Sequence, residues 1–260
     1  MSSEHINYLK KINKDKMVVS LIQIIIVISF LFIWEFLVEK EYISSFIYSS
    51  PKLIVITIYS LIKDGVFFIH IWTTIKEVLI SFTLGITFGF IIALLLYHFN
   101  TFAKIIDPFL TILNSLPKVA LGPLIIIVFG SNTKSIIIMA LLINLITTII
   151  TIYNGFLNTN LYHLKLFKSL NASKGQILTK LVIPSSYANI ISSCKICVSQ
   201  TLIGVIMGEF LVSKSGIGYL IVYGKQIFNL NYVMSGIIIL AIFSYILYKI
   251  VIIIENKLIK

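Results

Sequence analysis

The sequence predicts an all-α integral membrane protein with six transmembrane helices, and three observations lead there. Hydrophobic residues make up 58% of the 260 and charged residues only 12%, with a mean hydropathy of +1.02, far from the composition of a soluble domain. The apolar residues gather into runs long enough to cross a hydrocarbon core about 30 Å thick. Between the fourth and fifth runs lies a polar, basic stretch with helical periodicity, Lys165 to Pro184, a connection long enough to imply a task of its own.

Residues 1–16, with Lys10, Lys11, Lys14 and Lys16, read as a cytoplasmic N-terminus. The apolar run Met17–Val38 follows, and as a helix it rises about 33 Å. No small-residue cleavage site follows it, so it reads as a retained first span and not as a signal peptide. Trp34 and Glu35 then fall near its far interface, where an aromatic ring anchors and a carboxylate reaches water. The remainder of segment 17–77 is mixed. Its stretch LIVITIYSLIKDG, after Pro51, is too short and interrupted to span and is expected as an interfacial helix on the external side, with a seventh span as the alternative.

The core of the membrane bundle is expected over 78–254. Val78–Phe99 is its first span, the second of the chain, and carries Gly85 and Gly89 four apart, a spacing that lets helices approach closely. Asn100–Asp107 reads as a short polar connection. Pro108, Pro117 and Pro123 interrupt the third span, and Lys118 lies near its middle. Val119–Phe129 reaches only about 17 Å as helix, so this span must take in Phe109–Leu116 as well. A proline-broken helix at membrane depth is tolerated where it packs on protein or lines a cavity, which makes it a candidate for a solute pathway.

Ser131–Lys134 makes a turn before the fourth span, Ile136–Tyr153, to which Asn144, Thr147, Thr148 and Thr151 give a polar side. Interhelical hydrogen bonding and pathway lining both fit that side. Ala188–Leu211 is the fifth span, with Gly204 and Gly208 again four apart. Val212–Asn231 is a polar external loop holding an SGIG turn, Tyr232–Ile254 is the sixth span, and 255–260 form the C-terminus. With both termini inside, Lys10, Lys11, Lys14, Lys16, Lys104, Lys165, Lys168, Lys174, Lys180, Lys257 and Lys260 face the cytoplasm. The external segments hold fewer lysines, partly offset by Glu39, Glu41, Asp64 and Glu77. The positive-inside rule therefore places 164–184 in the cytoplasm.

Within that loop, Leu166, Leu170, Ile177, Leu178, Leu181 and Ile183 fit an amphipathic helix pair. Asn171, a residue that tolerates a left-handed backbone, divides the pair; Ser173 is placed to cap the second helix, and Pro184 stops that helix or opens the next. The order Ser169, Leu170, Asn171, Ala172, Ser173, Lys174, Gly175, Gln176, two apolar residues, Thr179, Lys180, three apolar residues and Pro184 resembles the cytoplasmic coupling loop of permease subunits of bacterial ABC importers. The strings LPKVALGPL, GVIMGEFL and SGIGYLI resemble the branch of that family that imports sulfonates, taurine, nitrate and thiamine-precursor pyrimidines. The likeness runs collinearly from about Leu79 to Leu240. Lys165, Leu166 and Phe167 stand where the family usually has Glu-Ala-Ala, and Asn171 where it has glycine.

The resemblance implies a type I ABC importer permease fold in the plasma membrane and a coupling contact that includes Lys165 and Lys168. It also implies a separate ATP-binding cassette subunit, an extracytoplasmic substrate-binding protein, a homodimer and a surround of membrane lipid. A secondary transporter of small anions is the competing reading; it would normally show inverted repeats and midplane ionisable groups, and no repeat is visible.

Other chemistries find little support in the residues. Every basic residue is lysine, whereas readers of nucleic acid lean on arginine, so no nucleic-acid partner is expected. No phosphate-binding loop of the form G-x-x-x-x-G-K-[ST] occurs, so ATP hydrolysis is expected elsewhere and the chain is not read as an enzyme. Cys194 and Cys197 sit inside an apolar helix and read as packing residues, and the four histidines are scattered, so neither metal nor cofactor is expected.

A charge at membrane depth is costly and marks a functional candidate. Lys118 either faces the pathway and attracts an anion or snorkels and pairs. Glu209 is either a gate or docking contact or an interfacial carboxylate. It lies about 21 Å along the helix from Lys195, too far for a direct salt bridge. Lys118, Asn144 and Glu209 are therefore the pathway candidates.

Overall fold

The structure, a computed structural model, describes residues 3–258; residues 1–2 and 259–260 of the expected terminal segments lie outside the described residues. Among the described residues every regular element is helical. Five helices are long and apolar enough to cross a membrane, and a sixth span is made if one bent pair is counted. α1 (Ser3–Glu39) is continuous from the basic N-terminal segment into the apolar run, and that run is exposed along nearly its whole length. It is tied to the bundle near its C-terminal end, where the Glu35 carboxylate accepts from Ser50 Oγ at 3.2 Å and from the Lys52 amide at 2.9 Å.

After a single turn, α2 (Ser45–Tyr48), comes α3 (Pro51–Lys63). Ser50 caps α3 and Pro51 occupies its first turn, where a missing N–H costs nothing. α3 packs against α4 and α13 and is too short to span. The second span begins earlier than the sequence suggested. α4 runs from Val66 to His98, so Lys76 and Glu77 lie inside a continuous helix and not in a preceding connection. The physical cause is Gly65, whose left-handed φ of +73° turns the chain and lets a new helix start twelve residues ahead of Val78.

The expected polar connection Asn100–Asp107 is also helical. α5 (Asn100–Ser115) carries Pro108 within it, a short 3₁₀ turn spans Lys118–Leu121, and α6 (Gly122–Phe129) follows. The two arms meet at 87°, and Leu116 and Pro117 at the corner have extended or irregular backbone because the prolines cannot continue the helix.

The centre of the bundle is α4 packed with α7 (Thr133–Leu157) and α11 (Tyr187–Val212). Small residues set the separation. A Cβ on Gly85 would strike the Asn144 side chain and one on Gly89 would strike Thr148, while Gly204 and Gly208 lie against the α7 backbone at Ala140 and Ile136. One buried cluster gathers Val78, Ile136, Ala140, Val205, Ile206 and Ile217, and a second, at the other end, gathers Ala93, Ile152, Phe156, Ile177, Leu181 and Val182. The expected loop 212–231 contains a helix of its own, α12 (Ile217–Gln226), and the chain finishes with α13 (Leu230–Leu258), whose outward face is largely exposed.

Candidate functional site

The polar hairpin between α7 and α11 is built from α8 (Leu161–Ser169), a tight turn, α9 (Lys174–Ile177), a π turn over Leu178–Val182, and α10 (Ile183–Ser185). Asn160 caps α8 through its side chain. Asn171 adopts φ +55°, a conformation Asn accepts better than other residues with a Cβ, and the Asn171 and Ala172 amides close the turn on Lys168 and Phe167 carbonyls at 3.0 Å. Ser173 and Gln176 form a reciprocal capping box, with the Ser173 amide donating to Gln176 Oε1 at 2.8 Å and the Gln176 amide to Ser173 Oγ at 3.3 Å. The wide π turn falls just ahead of Pro184, which has no N–H for the regular helical bond and whose ring needs the room.

Leu164, Phe167, Ala172, Ile177 and Leu181 seat the hairpin on the end of the bundle at Phe156 and Ile152. Leu161, Leu166 and Leu170 point away and are 70%, 54% and 70% exposed, as are Lys165, Lys168, Ser169 and Lys174 around them. The sequence periodicity had grouped Leu166 and Leu170 with the packed face. In the structure Leu164 and Phe167 occupy that face. No carboxylate occurs in the sequence between Asp107 and Glu209, so the only full charges the hairpin itself carries around its apolar ridge are lysines.

At the corner between α5 and α6, the Lys118 ammonium donates to Asn114 Oδ1 at 3.2 Å and the Ile143 carbonyl at 3.5 Å, and Thr147 Oγ1 donates to the same Asn114 oxygen at 3.1 Å. Lys118 is half-buried, and its group is open on one side. Asn144 lies on a different side of α7. It is wholly buried, and its Nδ2 donates to Thr201 Oγ1 at 2.6 Å and to the Ser81 carbonyl at 3.3 Å, joining α4, α7 and α11. The polar side expected of the fourth span is therefore two sides, with Asn144 and Thr148 inside the three-helix contact and Thr147 and Thr151 toward α5. Asn114, which the sequence reading passed over, sits four residues before Lys118, and that helical spacing was the available signal.

Glu209 lies at the end opposite the hairpin and is 1% exposed. Thr74 Oγ1 donates to its Oε1 at 2.6 Å and the Gly218 amide to its Oε2 at 2.5 Å. Two neighbouring amides are held from α4: Gly216 donates to His70 Nδ1 at 3.0 Å, and Ile217 donates to Thr74 Oγ1 at 2.9 Å. The amides that open α12, which a helix leaves without internal partners, are thus met by side chains of α4 and α11. Gly216 at φ +120° and Gly218 leave the room this requires, since a Cβ on either would run into Glu209. Lys118, Asn144 and Glu209 do not converge, because each has its own partners at a different level of the bundle. Lys195 pairs with Glu255 of α13 at 2.5 Å.

A family model described as "Binding-protein-dependent transport system inner membrane component" matches residues 85–260. The putative aliphatic sulfonates transport permease protein SsuC of Bacillus subtilis is 28% identical over 228 residues, covering 88% of this chain and 83% of that protein. The formylaminopyrimidine transport permease protein ThiX of Halalkalibacterium halodurans is 27% identical over 158 residues, 61% of this chain and 63% of that one. Among solved structures, an inward-facing form of the MetNI methionine ABC transporter superposes with a TM-score of 0.64 at 16% identity, over 72% of this chain and 94% of the matched chain. That likeness shows the fold alone, an all-helical bundle like that of the matched transporter chain.

Proposed function

We propose, for a chain that belongs to the family of binding-protein-dependent transport system inner membrane components, that it forms the pathway of an ATP-driven importer of a small solute and is driven by a separate ATPase. The observation that carries this reading is the hairpin, fixed by the Asn171 turn and the Ser173–Gln176 box, with Leu161, Leu166 and Leu170 facing outward from the bundle end. A rigid apolar ridge on a membrane protein that has no phosphate-binding loop of its own is suited to seating in a partner that has one. In this reading the hairpin and both termini are cytoplasmic, and α12 with its preceding turn faces an external binding protein.

The exposed apolar residues of α5 and α6, among them Phe109, Ile112, Leu124 and Ile127, are where a second copy of the chain packs, and the outer faces of α1 and α13 meet lipid. The open group Lys118, Asn114 and Thr147 lies along the pathway and takes the polar end of the solute, a compound of the sulfonate, taurine, nitrate or thiamine-precursor pyrimidine kind. Uptake of labelled solute into proteoliposomes holding the whole complex tests this. Lys118→Ala is expected to lower uptake of an anion about tenfold, the value of one hydrogen bond to a charged group. Lys118→Glu lowers it further, because it repels as well as fails to attract. Near-normal uptake by both variants contradicts an anion site at Lys118 and favours a neutral pyrimidine.

A further inference from the structure

We infer that the recess between the α4–α5 elbow and the hairpin is a binding site for the headgroup of an anionic phospholipid, with Lys174 as its principal cation. Two cavities meet there, of about 300 and 620 Å³, and His98, Asn100 and Lys174 line both. The inner one is walled by Phe156 and Ile177, members of the buried cluster that seats the hairpin, and by Lys168. Tyr97 meets Phe156 edge to face at 5.8 Å between ring centres, so this wall is built of interlocked side chains. The outer one is bordered by Leu95, Phe99 and Phe102, which are 45%, 53% and 46% exposed.

α4 and α7 are apolar spans, and the recess lies where they end, at His98 and Leu157. It is therefore at the level of lipid headgroups, whichever side of the membrane the hairpin occupies. Neither cavity has a carboxylate on its wall, and Lys195–Glu255 is the one ion pair among the described residues, so Lys168 and Lys174 have no fixed counter-charge. Lys174 opens α9 directly after the Ser173–Gln176 capping box, which holds its backbone beside the recess. The two ammonium groups, with the N–H groups of the His98 ring and the Asn100 amide, are donors matched to phosphodiester oxygens. A soluble anion would meet these donors and leave Leu95, Phe99 and Phe102 bare. A phospholipid meets both, with its phosphate among the donors and its acyl chains over the apolar border. Bound in this way, one lipid joins α8 and α9 of the hairpin to the elbow of α4 and α5.

Native mass spectrometry of the purified, delipidated complex, titrated with dioleoyl-phosphatidylglycerol or dioleoyl-phosphatidylcholine, reads this binding without transport or ATP. The anionic lipid is expected to bind more tightly than the zwitterionic one. Lys174→Gln should weaken the anionic lipid about fivefold, the share of one lysine near a charged headgroup, and leave the zwitterionic lipid unchanged. Lys174→Arg should keep the parental preference, and Lys63→Gln, on α3, controls for loss of charge elsewhere on the chain. Hydrogen exchange of the 161–177 peptide should slow on adding the anionic lipid and not on adding inorganic phosphate. Equal binding of the two lipids overturns the inference, as does parental affinity in Lys174→Gln or an equal loss in Lys63→Gln. Protection by inorganic phosphate alone would make the recess a site for soluble anions. Exchange that is slow without lipid and unmoved by it would mean that a second copy or the ATPase fills the recess. A failure of ATP-driven transport leaves each of these binding results standing.

Discussion

Single residues in this protein do their work by fitting a backbone conformation or by facing a specific donor. Asn171 carries the hairpin turn at φ +55°. Asn171→Gly should be tolerated, whereas Asn171→Val should cost about 1–2 kcal/mol by forcing a β-branched side chain into the left-handed region. Copurification with the ATPase and substrate-stimulated ATP turnover check this; full coupling in the Val variant would remove the turn from the mechanism. Ser173→Ala breaks the capping box and should cost about 1 kcal/mol of hairpin stability. The turn was legible in the sequence because Asn within SLNAS and the Ser-x-x-Gln spacing are local signals. The burial of Glu77 was not, because it sits in a contact that forms only when α4 meets its neighbouring helices, and no local pattern reports that. Glu209 itself was visible as a charge in an apolar run. Its partners Thr74, His70 and the Gly216–Gly218 amides were not, since they arise from the fold.

Among elements, the long, strongly apolar helices were readable and their ends were not. The fourth, fifth and sixth spans begin and end within a few residues of their sequence limits, because apolar runs bounded by polar residues mark membrane helices directly. The sequence sets the start of the second span at Val78, just after the charged pair Lys76 and Glu77. In the structure both sit in its helix, with Lys76 over the Trp72 ring at 5.8 Å and Glu77 packed inward. The α5–α6 corner was recognisable as broken from its prolines, but its 87° angle was not, as that angle depends on how both arms meet α7. The glycine spacings carried real geometric information. A Cβ at Gly204 would lie 2.5 Å from the Ala140 Cα, a backbone atom that cannot swing aside. Gly204→Ala should therefore force α11 from α7 and destabilise the protein by about 1–3 kcal/mol, read as a lowered unfolding midpoint of the purified complex. An unchanged midpoint would mean the two helices separate freely.

At the scale of the whole molecule, the two ends of the bundle have different jobs. One carries the outward-facing hairpin ridge, and the other carries the clasped start of α12. Between them run the packed contacts of α4, α7 and α11, which under the proposed function are the link between the hairpin and the opposite end. The orientation assigned to this link is checked in a variant with Cys194 and Cys197 replaced. A single cysteine at Lys174 should react with an impermeant reagent only from the cytoplasmic side, and one at Lys214 only from outside. The reverse pattern would invert the model of coupling. In the proposed function this chain is a pathway driven by ATP in a partner and not by an ion gradient. Its most direct test is solute uptake into proteoliposomes containing the chain, its ATPase and its binding protein, with ATP supplied on the hairpin side. Uptake that requires ATP hydrolysis and persists when ion gradients are collapsed is the predicted result; uptake that proceeds without ATP and stops when the gradients are collapsed would contradict it.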